Sequence, residues 1–176
     1  MKKMILVVLL SLPLFASSLT LTNGSIAAHA EMMMDSEINP LNTKLSADVN
    51  MQGDNIKTLS GSFWIDLNLF VSDKKDRDEH MYEALNSTEH KLATYTIISL
   101  TQGEEKDMYI VHGKLSFHGN EKELQAKAKI TTTDAGLEFK ANTSINMPDY
   151  GVEMPCMMFM CVDDKVDLVI TATFKK

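Results

Sequence analysis

Several residue types are scarce in this chain, and each scarcity excludes something. Two cysteines among 176 residues rule out a disulfide scaffold or a multi-thiolate zinc module. Four prolines and eight glycines are too few for a collagen-like or low-complexity segment. Lysine and arginine total 17 against 24 acids, a net charge of −7. No basic stripe is present to displace counterions from a phosphate backbone, so nucleic acid is not an expected partner. Only one long apolar run occurs, Met4 to Phe15, shorter than the ~20 residues that span a bilayer. Motifs of catalysis are missing too. There is no G-x-S-x-G elbow, no H-E-x-x-H, no P-loop and no G-x-G-x-x-G. The expectation is a single non-enzymatic domain without a cofactor.

The amino terminus reads as a targeting segment. Lys2 and Lys3 precede the apolar run, and Ala28-His29-Ala30 has the small-x-small form of a cleavage site. An earlier cut near Ala16-Ser17-Ser18 fits the same grammar. The expected organisation is a signal peptide over 1–30 and one domain over 31–176, in a periplasmic or secreted protein.

From Leu41 onward the chain alternates. Leu41, Thr43, Leu45, Ala47, Val49 and Met51 share one parity, and in the next segment Leu59, Phe63, Ile65, Leu67, Leu69 and Val71 do the same. Trp64 and Phe70 are apolar exceptions on the outer parity. Tyr109, Val111, Leu115 and Phe117 alternate with polar residues, as do Leu124, Ala126, Ala128 and Ile130. So do Leu137, Phe139, Ala141 and Ile145, and finally Val166, Leu168, Ile170, Ala172 and Phe174. A period of two means strands with one apolar and one wet face. Gly53-Asp54-Asn55, Gly103-Glu104-Glu105, Gly119-Asn120 and Asp134-Ala135-Gly136 supply turn chemistry between them. One-sided antiparallel strands must curl into a barrel or pair with a second sheet, so the class is all-β. The stretch from Ser72 to Leu85 breaks the pattern and predicts a short helix, with Ser72 or Asp73 as its cap.

Four segments carry a family resemblance. Gly113-Lys114-Leu115-Ser116-Phe117-His118-Gly119-Asn120-Glu121-Lys122 is similar to the G-x-L-t-h-x-G-x-x-K hairpin of the YceI-like family of secreted lipid-binding proteins. Ile145-Asn146-Met147-Pro148-Asp149-Tyr150-Gly151-Val152 resembles that family's aspartate-aromatic-glycine-aliphatic step. Asp163 to Ile170 resembles its closing strand, and Arg77-Asp78-Glu79-His80-Met81 its helix element. The family's Phe-Phe-Asp and Tyr-Pro steps are replaced by Asn86 to Ala93. Alternation alone fits a filled barrel as well as a hollow one. The resemblance implies an eight-stranded antiparallel lipocalin-like barrel with one short helix, hollow and holding an isoprenoid-like lipid such as a polyprenyl quinone or phenol. Its wall would come from the inward set: Phe63, Ile65, Leu67, Leu69, Tyr109, Val111, Leu115, Phe117, Leu137, Phe139, Ile145, Leu168, Ile170 and Phe174. A homodimer is compatible with this reading.

The segment from Met154 to Cys161 packs four methionines and two cysteines into eight residues. Cys156 and Cys161 in an exported protein are expected to pair, and the methionines to form an apolar lid. The competing reading is a copper or redox-stress protein, in which these thiolates and thioethers, with Met32-Met33-Met34, bind Cu(I) over a scaffold barrel. His112 and His118 share a face but lie ~20 Å apart along a strand, too far to ligate one ion. His80 and His90 read as surface or capping residues, and Arg77 and Asp78 as a solvated ion pair.

Overall fold

The computed structural model describes residues 16–32, 36–157 and 160–176. The strands in chain order are β1 (Ala16–Met32), β2 (Ser36–Ile38), β3 (Leu41–Asn42), β4 (Ser46–Gln52) and β5 (Asn55–Asp66). Helix α1 (Lys75–Ala84) follows, then β6 (Leu92–Gln102), β7 (Met108–Phe117), β8 (Asn120–Thr133), β9 (Gly136–Asn146), β10 (Cys156–Met157) and β11 (Met160–Lys175). Eight of them close an antiparallel barrel in the order β1-β4-β5-β6-β7-β8-β9-β11, with β11 returning to β1. Closure leaves the eight barrel strands no free edge, the physical solution for one-sided strands.

The first strand runs across the expected domain boundary. β1 pairs with β4 from Ala16 to Leu19, and with β11 at eleven positions between Thr20 and Met32. Its other edge takes β3 at Ile26 and Ala27, and β2 from Ala30 to Met32. The barrel therefore begins upstream of residue 31, and a cut after Ala30 would remove the strand that closes it. Lys2, Lys3 and the run from Met4 to Phe15 lie outside the described residues.

The alternation holds along most strands and fails where the backbone stops being extended. After Asp66 the chain makes a 3-10 turn over Leu67–Leu69, capped by the Asp66 carboxylate, which accepts the Asn68 N–H at 3.0 Å. Three residues per turn shift the parity. Leu67 and Phe70 are buried, while Leu69 and Val71 are 44% and 59% exposed, so Leu69 is not a wall residue. Leu41 is exposed as well. In the two-residue strand β3 it is Asn42 that turns inward, donating to the Asp66 carbonyl and accepting the Lys44 N–H. The β7–β8 hairpin turns on His118 and Gly119, both at positive φ (49° and 75°), one residue earlier than expected. This is the two-residue turn whose twist matches its strands.

The expected helix forms, but neither Ser72 nor Asp73 caps it. Lys74 occupies the cap position without a side-chain bond, and Asp78, buried in the first turn, accepts the Ser72 N–H at 2.8 Å. Arg77 pairs with Asp73 at 2.9 Å instead of with Asp78. The Tyr82 hydroxyl donates to the Phe70 carbonyl and ties the helix to the barrel rim.

The two ends of the barrel differ. Short turns join β4 to β5, β6 to β7 and β8 to β9 at one end. The long connections, with α1 and β10, gather at the other. Near the short turns the interior is filled: Val49, Met51, Val111, Ile130, Leu137 and Phe174 are all at most 2% exposed.

Candidate functional site

Towards the end with the long connections the barrel is hollow. A cavity of about 1050 Å³ runs from its middle to the mouth under α1, at the top of the ~300–1,000 Å³ range of small-molecule sites. The change from filled to hollow is a matter of side-chain volume. Inward positions in the open half hold Ala28, Ala30, Ala93, Ala126 and Ala141, which leave space where the other half places Ile130, Leu137 and Phe174. The floor is aromatic. Phe63 stacks on Phe139 with ring centroids 5.2 Å apart, and meets the edge of Phe174 at 6.1 Å.

Tyr95 reinforces this floor. Its hydroxyl lies 3.1 Å from the Val111 carbonyl and 3.0 Å from that of Leu124, and burial pushes its phenol up to about 12. The ring lies against Gly113, where an added Cβ would overlap Tyr95 and approach the Thr96 carbonyl to 2.6 Å. Gly113→Ala is therefore expected to destabilise the barrel by roughly 1–3 kcal/mol through overpacking. Urea unfolding checks this.

Aliphatic and aromatic residues make the wall, and the charged lining residues sit at the mouth: Lys74, Arg77 and Glu83 on or next to α1, and Glu153 on the β9–β10 connection. His80 joins them. Of the wall expected from sequence, Phe63, Ile65, Leu67, Leu115, Phe117, Phe139, Ile145, Leu168 and Ile170 line the cavity. Tyr109, Val111, Leu137 and Phe174 are buried in the filled end and do not line it. Leu69 faces outward.

Several lining residues escaped sequence reasoning. Ile26, Ala28 and Ala30 alternate inward on β1, and that alternation was legible, but Ala28-His29-Ala30 also fits a cleavage site. Phe70, Met81 and Leu85 complete the mouth from the rim and the helix. His90, expected at the surface or as a cap, is in contact with His118, their ring centroids 4.4 Å apart, and the His118 Nδ1 lies 3.0 Å from the Tyr150 carbonyl. A carbonyl only accepts, so this nitrogen carries the proton.

Cys156 and Cys161 are joined by a disulfide across the β10–β11 ribbon, where they are register partners. Met154, Pro155 and Cys156 border the mouth, as the lid reading expects. With both sulfurs oxidised, neither cysteine offers a thiolate to Cu(I). Met33, Met34, Met158 and Phe159 lie outside the described residues. Among the described residues no group of three His, Cys, Asp or Glu side chains is placed to hold a metal. The bridge closes a short loop, worth about 2 kcal/mol on a chain-entropy estimate. Cys156→Ser with Cys161→Ser is expected to lower stability by no more than that and to leave cavity binding intact, as denaturant unfolding and ligand titration would show.

The YceI-like domain model matches residues 18–174. The chain belongs to the YceI-like family. The match begins inside β1, in accord with the strand's place in the barrel. Comparison with curated protein sequences gives no match. Among solved structures, BcnA of Burkholderia cenocepacia superposes with a TM-score of 0.75 at 16% identity, covering 85% of this chain and 95% of that one. A polyisoprenoid-binding domain from Saccharophagus degradans gives 0.68 at 14% identity, covering 90% and 97%. A Campylobacter jejuni YceI protein gives 0.63 at 16% identity, covering 76% and 82%. At these identities the likeness establishes the YceI-like fold. No helix among the described residues is long and apolar enough to cross a membrane.

Proposed function

We propose that this YceI-like protein binds an elongated isoprenoid-like lipid, of the polyprenyl quinone or phenol class, and serves as an exported carrier or store that does not transform it. One observation carries the reading: the cavity wall is apolar, and its charged lining residues are confined to the mouth. An apolar tail gains ~25 cal/mol for each Å² it withdraws from water. A chain burying roughly 400 Å² would gain roughly 10 kcal/mol gross, enough to outweigh much of the cost of association. The quinone or phenol head would stay at the rim beside Lys74, His80 and Glu153, where polar partners and water are within reach. The relative described as polyisoprenoid-binding supports the ligand class, and the disulfide fits an oxidising compartment.

Native mass spectrometry of the protein from an exported fraction, followed by organic extraction, tests this. A stoichiometric adduct that extracts as an isoprenoid is expected. A bare polypeptide mass that added polyprenyl quinone does not change would overturn the reading. Export is expected to use the cut near Ala16-Ser17-Ser18, which preserves most of β1. Amino-terminal sequencing of the mature chain checks that position.

A further inference from the structure

We infer that the mouth of the barrel carries a docking surface for a zwitterionic lipid bilayer, placed so that cargo passes between membrane and cavity without crossing water. The inference rests on the lipid-binding reading above. Five large apolar side chains are exposed among the described residues, Leu41, Leu69, Val71, Leu92 and Ile98, and the first four belong to the mouth end. Leu41 and Val71 exchange two backbone hydrogen bonds, Leu41 N–H to the Val71 carbonyl at 2.9 Å and the reverse at 3.0 Å. Their side chains therefore emerge on the same face.

Each of the four residues at the mouth end has a cavity-lining residue as its chain neighbour. Pro40 precedes Leu41, Phe70 lies between Leu69 and Val71, and Ala93 follows Leu92. At these points adjacent residues of one segment line the cavity and face outward. An apolar path thus leads from the wall over the rim to the outer surface. At the opposite end the turns are polar, with Asp54, Glu104, Glu105, Asp107 and Asp134. Large apolar side chains exposed together at one end of a domain mark an interaction site, and continuity with the cavity selects a lipid surface as its occupant.

The charge pattern selects the kind of bilayer. The chain's net charge is −7, and α1 beside the patch carries Asp76, Asp78, Glu79 and Glu83 against Lys75 and Arg77, with Lys74 just before it. Anionic headgroups would be repelled, so attachment depends on insertion of leucine and valine into the interface and is insensitive to salt.

The test uses phosphatidylcholine vesicles and a fluorescent polyene fatty acid as cavity probe. The protein is expected to float with the vesicles equally at low and high salt. Probe transfer should quicken as acceptor vesicles are added, as collision requires. Leu69→Ser with Val71→Ser and Leu92→Ser should reduce flotation about tenfold or more and slow transfer, leaving equilibrium affinity for the probe unchanged. If the triple variant does not unfold cooperatively, Val71→Lys alone reads out the same surface. Probe binding without flotation, or a transfer rate independent of acceptor concentration, overturns docking and leaves the cavity reading standing. Absence of probe binding overturns the cavity reading instead. Should the wild type run as a dimer that these substitutions convert to monomer, with no flotation, the patch belongs to a second copy and docking is overturned.

Discussion

A chain that starts at Glu31 is expected not to form the barrel at all. It would lack nearly all of β1, and with it ten of the eleven positions of the seam to β11 and the whole four-residue seam to β4. Both neighbours would become open edges with unpaired N–H and C=O groups, a template for aggregation. The cavity would lose Ile26, Ala28 and Ala30 from its wall, and the core would lose Leu19. Total stability of a domain is about 5–15 kcal/mol, and losing one of eight barrel strands removes more than that margin. Circular dichroism and thermal unfolding check it: a chain starting at Leu19 should melt cooperatively, and one starting at Glu31 should show no transition. A cooperative transition in the shorter chain would mean that β1 is dispensable.

Placing a carboxylate in the open half is the second large effect. Phe139→Asp and Leu115→Asp are each expected to abolish lipid binding, because the ligand would have to strip water from a charge with no partner in an apolar wall. Phe139 also stacks on Phe63, so its loss costs about 3–5 kcal/mol of stability in addition. Leu168→Asp separates the two consequences. Leu168 lines the cavity and is only half-buried, so a carboxylate there keeps water until a ligand displaces it. This variant should fold and bind at least about a hundredfold more weakly, a gap of about 2.7 kcal/mol. Leu137→Ala, in the filled end, should do the opposite: it loses about 2–5 kcal/mol of stability and keeps its affinity. Denaturant unfolding paired with probe titration distinguishes these patterns. Tight binding by a folded Leu168→Asp protein would remove the cavity as the ligand site.

The contrast between Leu168 and Leu137 shows where sequence reading stops. Both sit at inward positions of alternating runs, and nothing local tells them apart. Whether an inward residue meets neighbours or empty space depends on the volumes of residues on six or seven other strands, here the alanines of β1, β6, β8 and β9. Leu69 marks a different limit. Its parity was right for a strand, and a three-residue 3-10 turn after Asp66 rotated it out. His90 and His118 mark a third, since their contact joins two loops that no periodicity links.

What the sequence determined by itself was the all-β class, the inward face of most strands and the helix after Ser72, with the family legible as a resemblance and the pairing of Cys156 with Cys161 as the favoured of competing readings. These follow from period-two patterning, turn residues and short motifs, all of them local properties of the chain. Tertiary structure alone decided that residues 16–30 belong to the barrel, that one half is filled and the other hollow, and that apolar residues gather at the rim. Each of these depends on which strands become neighbours on closure, and that follows from the folding of the whole chain, which no single segment encodes.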